Sequence, residues 1–501
     1  MTGAGASTTR VGGYGGLERV PTGIAGLDEI LGGGLFEGGV YIVQGTPGSG
    51  KTILANQVCF THAAAGGRRA LYVTLLAESH ARMLGHIAPL GFFDSGAIPD
   101  RLTYLSAFRT LQDEGLSGLL TLLRREAAGR EASLIVLDGV MAAEETADSA
   151  IEFKKFIHEL QTQAAATGAT ILLLTSAATG AEMVAAEHTM VDGLIELSSR
   201  PYGRRSERDL EVRKFRGSGF LRGRHVFRIT DAGVAVYPRT EARLREPSRR
   251  DHLRGPKVPL GVPALDGMLD GGLPLHSTTL LAGPSGIGKT TLGLQFLGSG
   301  AEPGLLVGFH ESAESLKAKA EALGLAAAAA IAAGEVGLMW QPATEGLIDE
   351  VCDQLLATVR NRGVRRVFLD GLDAMSRLAE DGDRIIRIVA ALTAELRALN
   401  VTSIVTMETD LTGLAAGFPL SGVSLRGASA ITENILLMRF VEQRSALHRM
   451  VSVIKARDSA IDQRLRCFAI RAGGLVVEDG PDRAEAILAE LQSPAGRRGG
   501  E

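Results

Sequence analysis

An α/β protein of two tandem domains, each a mostly parallel sheet flanked by helices, is the fold the sequence predicts. Three observations predict it. The phosphate-loop pattern G-x-x-x-x-G-K-[ST] occurs twice, as GTPGSGKT at 45–52 and GPSGIGKT at 283–290. Each loop lies between an apolar strand-like run and a helical run, and the flanking blocks recur in the same order in both halves of the 501-residue chain. One such match arises by chance in about one protein in fifty, so two in equivalent surroundings leave chance negligible.

The elements follow in order. Val40, Ile42 and Val43 read as a buried strand feeding a glycine turn, and ILANQVCFTHAAA after it reads as a helix. That helix would direct its positive N-terminal end at phosphate. Further apolar runs, ALYVTLL, LIVLDG and ATILLLT, alternate with helical stretches such as FKKFIHELQTQAAA. Such alternation predicts a parallel sheet covered on both faces, with ligands at the carboxyl ends of the strands.

The repeat is measurable. Gly23 pairs with Gly261, Asp28 with Asp266 and Lys51 with Lys289 at a constant 238 residues (289 minus 51). Asp138 and Asp370 stand 232 apart (370 minus 138), and Lys214 and Lys455 stand 241 apart (455 minus 214). Small changes of offset are what loop insertions in two copies of one fold produce. The expected organisation is a flexible segment at 1–18, a first domain at 19–240, a charged exposed linker at 241–256, a second domain at 257–480, and a helix and tail at 481–501.

Composition is that of an ordinary globular protein: 45% hydrophobic, 22% charged, net charge −4. Nothing in it attracts nucleic acid or an anionic membrane in general, and no apolar run reaches spanning length. The N-terminus has no apolar signal region, and Cys59, Cys352 and Cys467 form no CxxC pair. A cytoplasmic protein is expected.

The loops specify a nucleotide with Mg²⁺. Backbone N–H groups of Gly45, Thr46, Pro47's neighbours Gly48 and Ser49, and Gly50 would face phosphate oxygens, as would those around Gly283, Pro284, Ser285, Gly286, Ile287 and Gly288. Lys51 and Lys289 reach the β/γ-phosphates; Thr52 and Thr290 ligate the metal, with Thr291 beside the second site. Asp138 and Asp370, each ending an apolar strand, are the expected Walker-B carboxylates for Mg²⁺ or its water. Hydrolysis also needs a base for the attacking water, and a carboxylate after the second strand is the expected place.

PTGIAGLDEILGGG, the two loops, the VLDG and FLDG strands and the late KFRGS and KARDS blocks together resemble the KaiC family of circadian-clock ATPases. The resemblance covers nearly the whole chain and implies two fused RecA-like domains. Members carry two adjacent glutamates after the second strand. Here Leu76 and Ala77 stand in those places in the first copy, with Glu78 one position late; the second copy keeps Glu311, preceded by His310. Glu78 and Glu311 are therefore the candidate catalytic carboxylates beside Lys51 and Lys289, with slow hydrolysis expected, above all in the first copy.

The resemblance further implies a homohexamer in which Lys214, Arg216, Lys455 and Arg457 cross to a neighbouring subunit's γ-phosphate. It implies serine phosphorylation at Ser429, with Ala430 in the companion threonine's place and Thr432 and Ser424 as nearby alternatives. It also implies signalling partners of the KaiB or sensor-kinase kind. A RecA- or helicase-like motor on nucleic acid is the alternative. The acidic stretches after the Walker-B strands, with Glu144, Glu145 and Asp148 in one and Glu380, Asp381 and Asp383 in the other, repel a phosphate backbone and count against it.

Overall fold

A computed structural model describes residues 18–77, 80–176, 190–202, 205–248, 255–379, 382–409, 431–457 and 459–492. Glu78, Ser424, Ser429 and Ala430 lie outside the described residues. The chain divides into two units, Met1–Arg239 and Thr240–Glu501.

In the first unit β1 (Arg19–Val20) and β2 (Leu35–Phe36) form a small antiparallel pair. The main sheet contains β3 (Val40–Gly45), β4 (Ala70–Thr74), β5 (Leu102–Ser106), β6 (Leu134–Asp138) and β7 (Thr170–Ser176), then β8 (Gly193–Tyr202), β9 (Arg205–Phe215), β10 (Arg224–Thr230) and β11 (Gly233–Tyr237). Its order is β11-β10-β9-β8-β3-β7-β6-β4-β5. Strands from β5 to β8 run parallel, and β8 to β11 form an antiparallel extension.

Alternation along each strand supplies two cores. Tyr41, Val43, Tyr72 and Val136 pack with the helix Lys51–Ala64 on one face. Val40, Ile42, Leu71, Val73 and Ile135 pack with the helices Phe108–Arg130 and Ala150–Thr167 on the other. The second helix of that pair starts at Ser149, whose Oγ accepts from Glu152 N at 3.2 Å, while Glu152 accepts from Asp148 N at 2.8 Å. That reciprocal cap satisfies N–H groups the helix itself cannot.

The second unit repeats the plan with β12 (Thr278–Gly283), β13 (Gly304–Gly308), β14 (Val336–Trp340), β15 (Arg366–Asp370), β16 (Thr402–Glu408), β17 (Asn434–Gln443), β18 (Ala446–Ala456), β19 (Arg466–Arg471) and β20 (Gly474–Val477). Its order, β14-β13-β15-β16-β12-β17-β18-β19-β20, is the first order read from the other edge. The α/β class is as expected, and each unit has the RecA-like arrangement with the phosphate-loop strand in the middle of its parallel ladder.

Residues 240–248, most of them inside the segment the sequence reads as exposed linker, pack on the second unit. Asp349 Oδ1 accepts from both Thr240 N and Thr240 Oγ1 at 2.9 Å. Arg384 reaches Asp349 at 2.7 Å and Glu241 at 3.1 Å, and Leu244 joins the second unit's core. Ser248 N and Oγ donate to Glu395 at 2.9 and 2.8 Å. These partners lie over 100 residues away, out of reach of any local composition rule.

Candidate functional site

Both phosphate loops leave the end of a central strand and enter a helix, Lys51–Ala64 in the first unit and Lys289–Gly298 in the second. Gly50 and Gly288 cap those helices at φ +104° and +121°, a region that disfavours any side chain. A Cβ there would also meet the tip of Ile229 or Ile470 at 2.8 Å. The two loops are therefore built on the same backbone solution.

The lysines lie folded back on their loops. Lys51 Nζ donates to Gly45 O at 2.7 Å and Thr46 O at 3.0 Å; Lys289 Nζ donates to Gly283 O at 2.6 Å and Pro284 O at 2.8 Å. Burial lowers both ammonium pKa values, opposed by Asp138 in the first site and by Asp370, Glu408 and Asp373 in the second. A polyanion in the cradle would give each ammonium a stronger partner than two carbonyls. Ser49 Oγ is buried with no hydrogen-bond partner among the described residues, a polar atom aimed at nothing within the loop itself.

Asp138 and Asp370, which end β6 and β15, are held differently. In the second site Asp370 Oδ2 accepts from Thr290 Oγ1 at 2.7 Å, and Oδ1 accepts from Thr406 Oγ1 at 2.8 Å. In the first, Thr52 Oγ1 stands 3.5 Å from Asp138 Oδ2, and the phenol of Tyr72 donates to that same oxygen at 2.7 Å. A threonine hydroxyl beside a carboxylate is a hard oxygen pair suited to Mg²⁺, which takes few protein ligands and completes its shell with water and phosphate. The donor chemistry and the glycine cradle fit ATP–Mg²⁺ in both units.

Around Asp370 opens a cavity of about 400 Å³, lined by Lys289, Thr290, Glu311, Asp373, Thr406 and Glu408 among others. Clefts of this size suit small ligands. Sequence reasoning missed Asp373, Thr406 and Glu408, though LDGLD and VTMETD carry them at strand ends. Asp373 Oδ2 accepts from Glu408 N at 2.6 Å, which ties the Asp373 carboxylate to the end of β16. Glu311 lines the same cavity.

In the first unit other residues stand at these positions. Strand register equates Ala70 with Gly304, since each pairs with the first residue of its Walker-B strand, and so places Ala77 where Glu311 stands. By the same registers Met141 and Ser176 replace Asp373 and Glu408. Leu76 lies over the Walker-B turn, its side chain 2.8 Å from where a Cβ on Gly139 would sit.

Lys214 and Lys455 lie in the antiparallel part of each sheet, two strands away from the strand that carries their own phosphate loop. Lys214 pairs with Leu194, which pairs with Ile42, three residues before Gly45; Lys455 pairs with Ile435, which pairs with Leu280, three before Gly283. At about 3.3 Å per residue each lies about 10 Å back along the sheet from its own loop. A register shift occurs beside each lysine, between Leu194 and Ile195 and between Ile435 and Leu436. Lys455 Nζ donates to Thr432 O at 2.8 Å and Arg216 to Met190 O at 3.3 Å, while Arg457 is exposed. Thr432, an alternative phosphate acceptor, is 2% exposed.

Among the described residues no helix is long and apolar enough to cross a membrane, and all three cysteines are buried and free. A family model for the KaiC ATPase matches residues 20–241 and again 258–482. The circadian clock oscillator protein KaiC of Picosynechococcus sp. is 27% identical over 492 residues, covering 94% of this chain and 92% of that protein. Its counterpart in Thermostichus vulcanus and the KaiC 1 protein of Synechocystis sp. are each 26% identical, covering 94% of this chain and 91% of theirs. With both units matched over nearly their full length, this chain belongs to the KaiC family of ATPases.

Proposed function

We propose that the chain binds ATP–Mg²⁺ at two sites, hydrolyses it slowly at the second, and uses the first chiefly to hold nucleotide. The observation that carries this reading is the second cavity, where Lys289, Thr290 and Asp370 meet Glu311 within one space. The first site keeps Lys51, Thr52 and Asp138 but has Ala77 at the position of Glu311. Positioning and electrostatics do most of the work of phosphoryl transfer, so a site with the cradle but with alanine in the place of Glu311 binds better than it turns over.

Chains assemble as a homohexamer in this reading, with Lys214, Arg216, Lys455 and Arg457 completing a neighbour's site. Support comes from the strand registers, which set Lys214 and Lys455 two strands away from their own phosphate-loop strand and about 10 Å back from the loop. Ser429 is the proposed acceptor for autophosphorylation, and a KaiB-like protein or a sensor kinase the proposed signalling partner. A cytoplasmic setting accords with all of this.

The test follows released phosphate and protein-bound label from γ-labelled ATP, with Lys51→Ala and Lys289→Ala run in parallel. Turnover should fall with Lys289→Ala and survive Lys51→Ala. The reverse dependence would exchange the roles of the two sites. Label lost with Ser429→Ala supports the phosphosite; label that persists removes it. Size exclusion with ATP and Mg²⁺ that gives only monomer would remove the ring and all four trans roles together.

A further inference from the structure

The two sites rest on floors of opposite chemistry. Beneath the first loop, Tyr72 OH donates to Asp138 Oδ2 at 2.7 Å, Tyr104 OH donates to Asn56 Oδ1 at 2.7 Å, and Asn56 Nδ2 donates to Thr52 O at 2.8 Å. The two phenol rings pack with centroids 5.4 Å apart. Strand pairing sets Tyr72 against Tyr104 and, in the second unit, Leu306 against Leu338; the loop offset sets Asn56 against Leu294. The second unit thus has leucine at all three positions, packed in one core cluster.

We propose that Tyr72 is a positioning residue that raises the Mg²⁺ requirement of the first site, resting on the reading of residues 45–52 as an ATP–Mg²⁺ cradle. The phenol occupies the Asp138 oxygen that faces Thr52, and there the threonine contact is 3.5 Å against 2.7 Å in the phenol-free second site. A carboxylate oxygen already accepting a short hydrogen bond offers less electron density to a cation and is held toward its donor. The Tyr104–Asn56–Thr52 chain fixes the other side of the gap by anchoring the helix turn that carries Thr52. The second unit meets the same need with Thr406, which binds Oδ1 and leaves Oδ2 to Thr290.

The experiment uses the full chain carrying Lys289→Ala, which leaves the first site to be read alone, and a fluorescent non-hydrolysable ATP analogue titrated with Mg²⁺. Tyr72→Phe, which removes one oxygen and keeps the ring, should lower the Mg²⁺ midpoint for analogue binding about tenfold. The plateau at saturating Mg²⁺ should not change, which also certifies the fold. A normal plateau with an unmoved or raised midpoint overturns the role of Tyr72 and leaves the nucleotide site standing. Absence of Mg²⁺-dependent binding in both the parent and the Tyr72→Phe chain overturns the ATP reading of the first loop and this proposal with it.

Discussion

Glu311 is ion-paired with Lys319 at the wall of the second cavity, and Ser315 Oγ donates to the same carboxylate at 3.4 Å. Both partners sit on the helix Ala313–Ala322, which directly follows the loop carrying Glu311. Glu311 and Lys319 both line the cavity, so the pair holds the carboxylate at its wall. Glu311→Gln should cut phosphate release by about 100-fold or more, the scale of a general base, with analogue affinity unchanged. Single-turnover measurement in a Lys51→Ala chain checks this. Turnover retained within twofold would reduce Glu311 to a partner for Lys319.

Complementation by mixing tests whether Arg457 acts on a neighbour. Arg457→Ala chains and Lys289→Ala chains should each be nearly inactive alone. On random mixing about a quarter of second sites would regain both an intact loop and an intact neighbouring finger. Phosphate release from the mixture should recover accordingly. A mixture no more active than its components would place Arg457 outside trans catalysis.

Acid should loosen the helix behind the first loop. His62 is buried on the helix Lys51–Ala64 with Nε2 2.8 Å from Ser133 Oγ, and burial lowers its pKa from 6.5 to about 4, with Arg68 adding to the shift. Between those values the unfolded chain binds a proton that the folded chain does not, so stability present above pH 6.5 is lost as pH falls toward 4. The loss is on the order of 3 kcal/mol. Hydrogen-exchange protection of that helix in the full chain should drop over this window, and His62→Leu should flatten the drop. An equal pH dependence in the variant would assign the effect elsewhere.

Asp349 holds residues 240–241 to the second unit through Thr240 and Arg384. Asp349→Ala removes the carboxylate that accepts from Thr240 and Arg384 and leaves Arg384 with Glu241 alone, so it should destabilise the second unit by about 2–3 kcal/mol. Thr240→Val, which deletes only a hydroxyl, should cost about 1 kcal/mol. Urea unfolding of the full chain, followed by Trp340 fluorescence, separates the two. Equal effects would mean that the ion pair adds nothing beyond the cap.

Much of this plan was legible in the chain because each signal was local. A strand, a glycine loop and a helix occupy consecutive residues, and the offsets of 238, 232 and 241 residues recur in the observed strand registers. Strand-end aspartates likewise announce themselves after runs of three or four apolar residues. What the sequence concealed depends on pairing across the sheet. Whether Asp138 is held by Tyr72 or Asp370 by Thr406 follows from which strand lies on which side, and Thr406 has its counterpart in Leu174. The docking of residues 240–248 was hidden for the same reason: charge and proline suggest exposure, while the acceptors that bury the segment come from distant helices.

The phenol–amide floor of one unit and the leucine floor of the other make the two copies poor donors of spare parts to each other. A helix transplanted from the first unit to the second would press Asn56 against Leu306 and Leu338, with no hydroxyl for its amide oxygen. The reverse graft would leave the Tyr104 hydroxyl without its acceptor. Each exchange strands a buried polar atom at a cost of about 1–3 kcal/mol, so the duplication has become irreversible at the level of single segments. Only whole units can be swapped without stranding a polar atom in these floors.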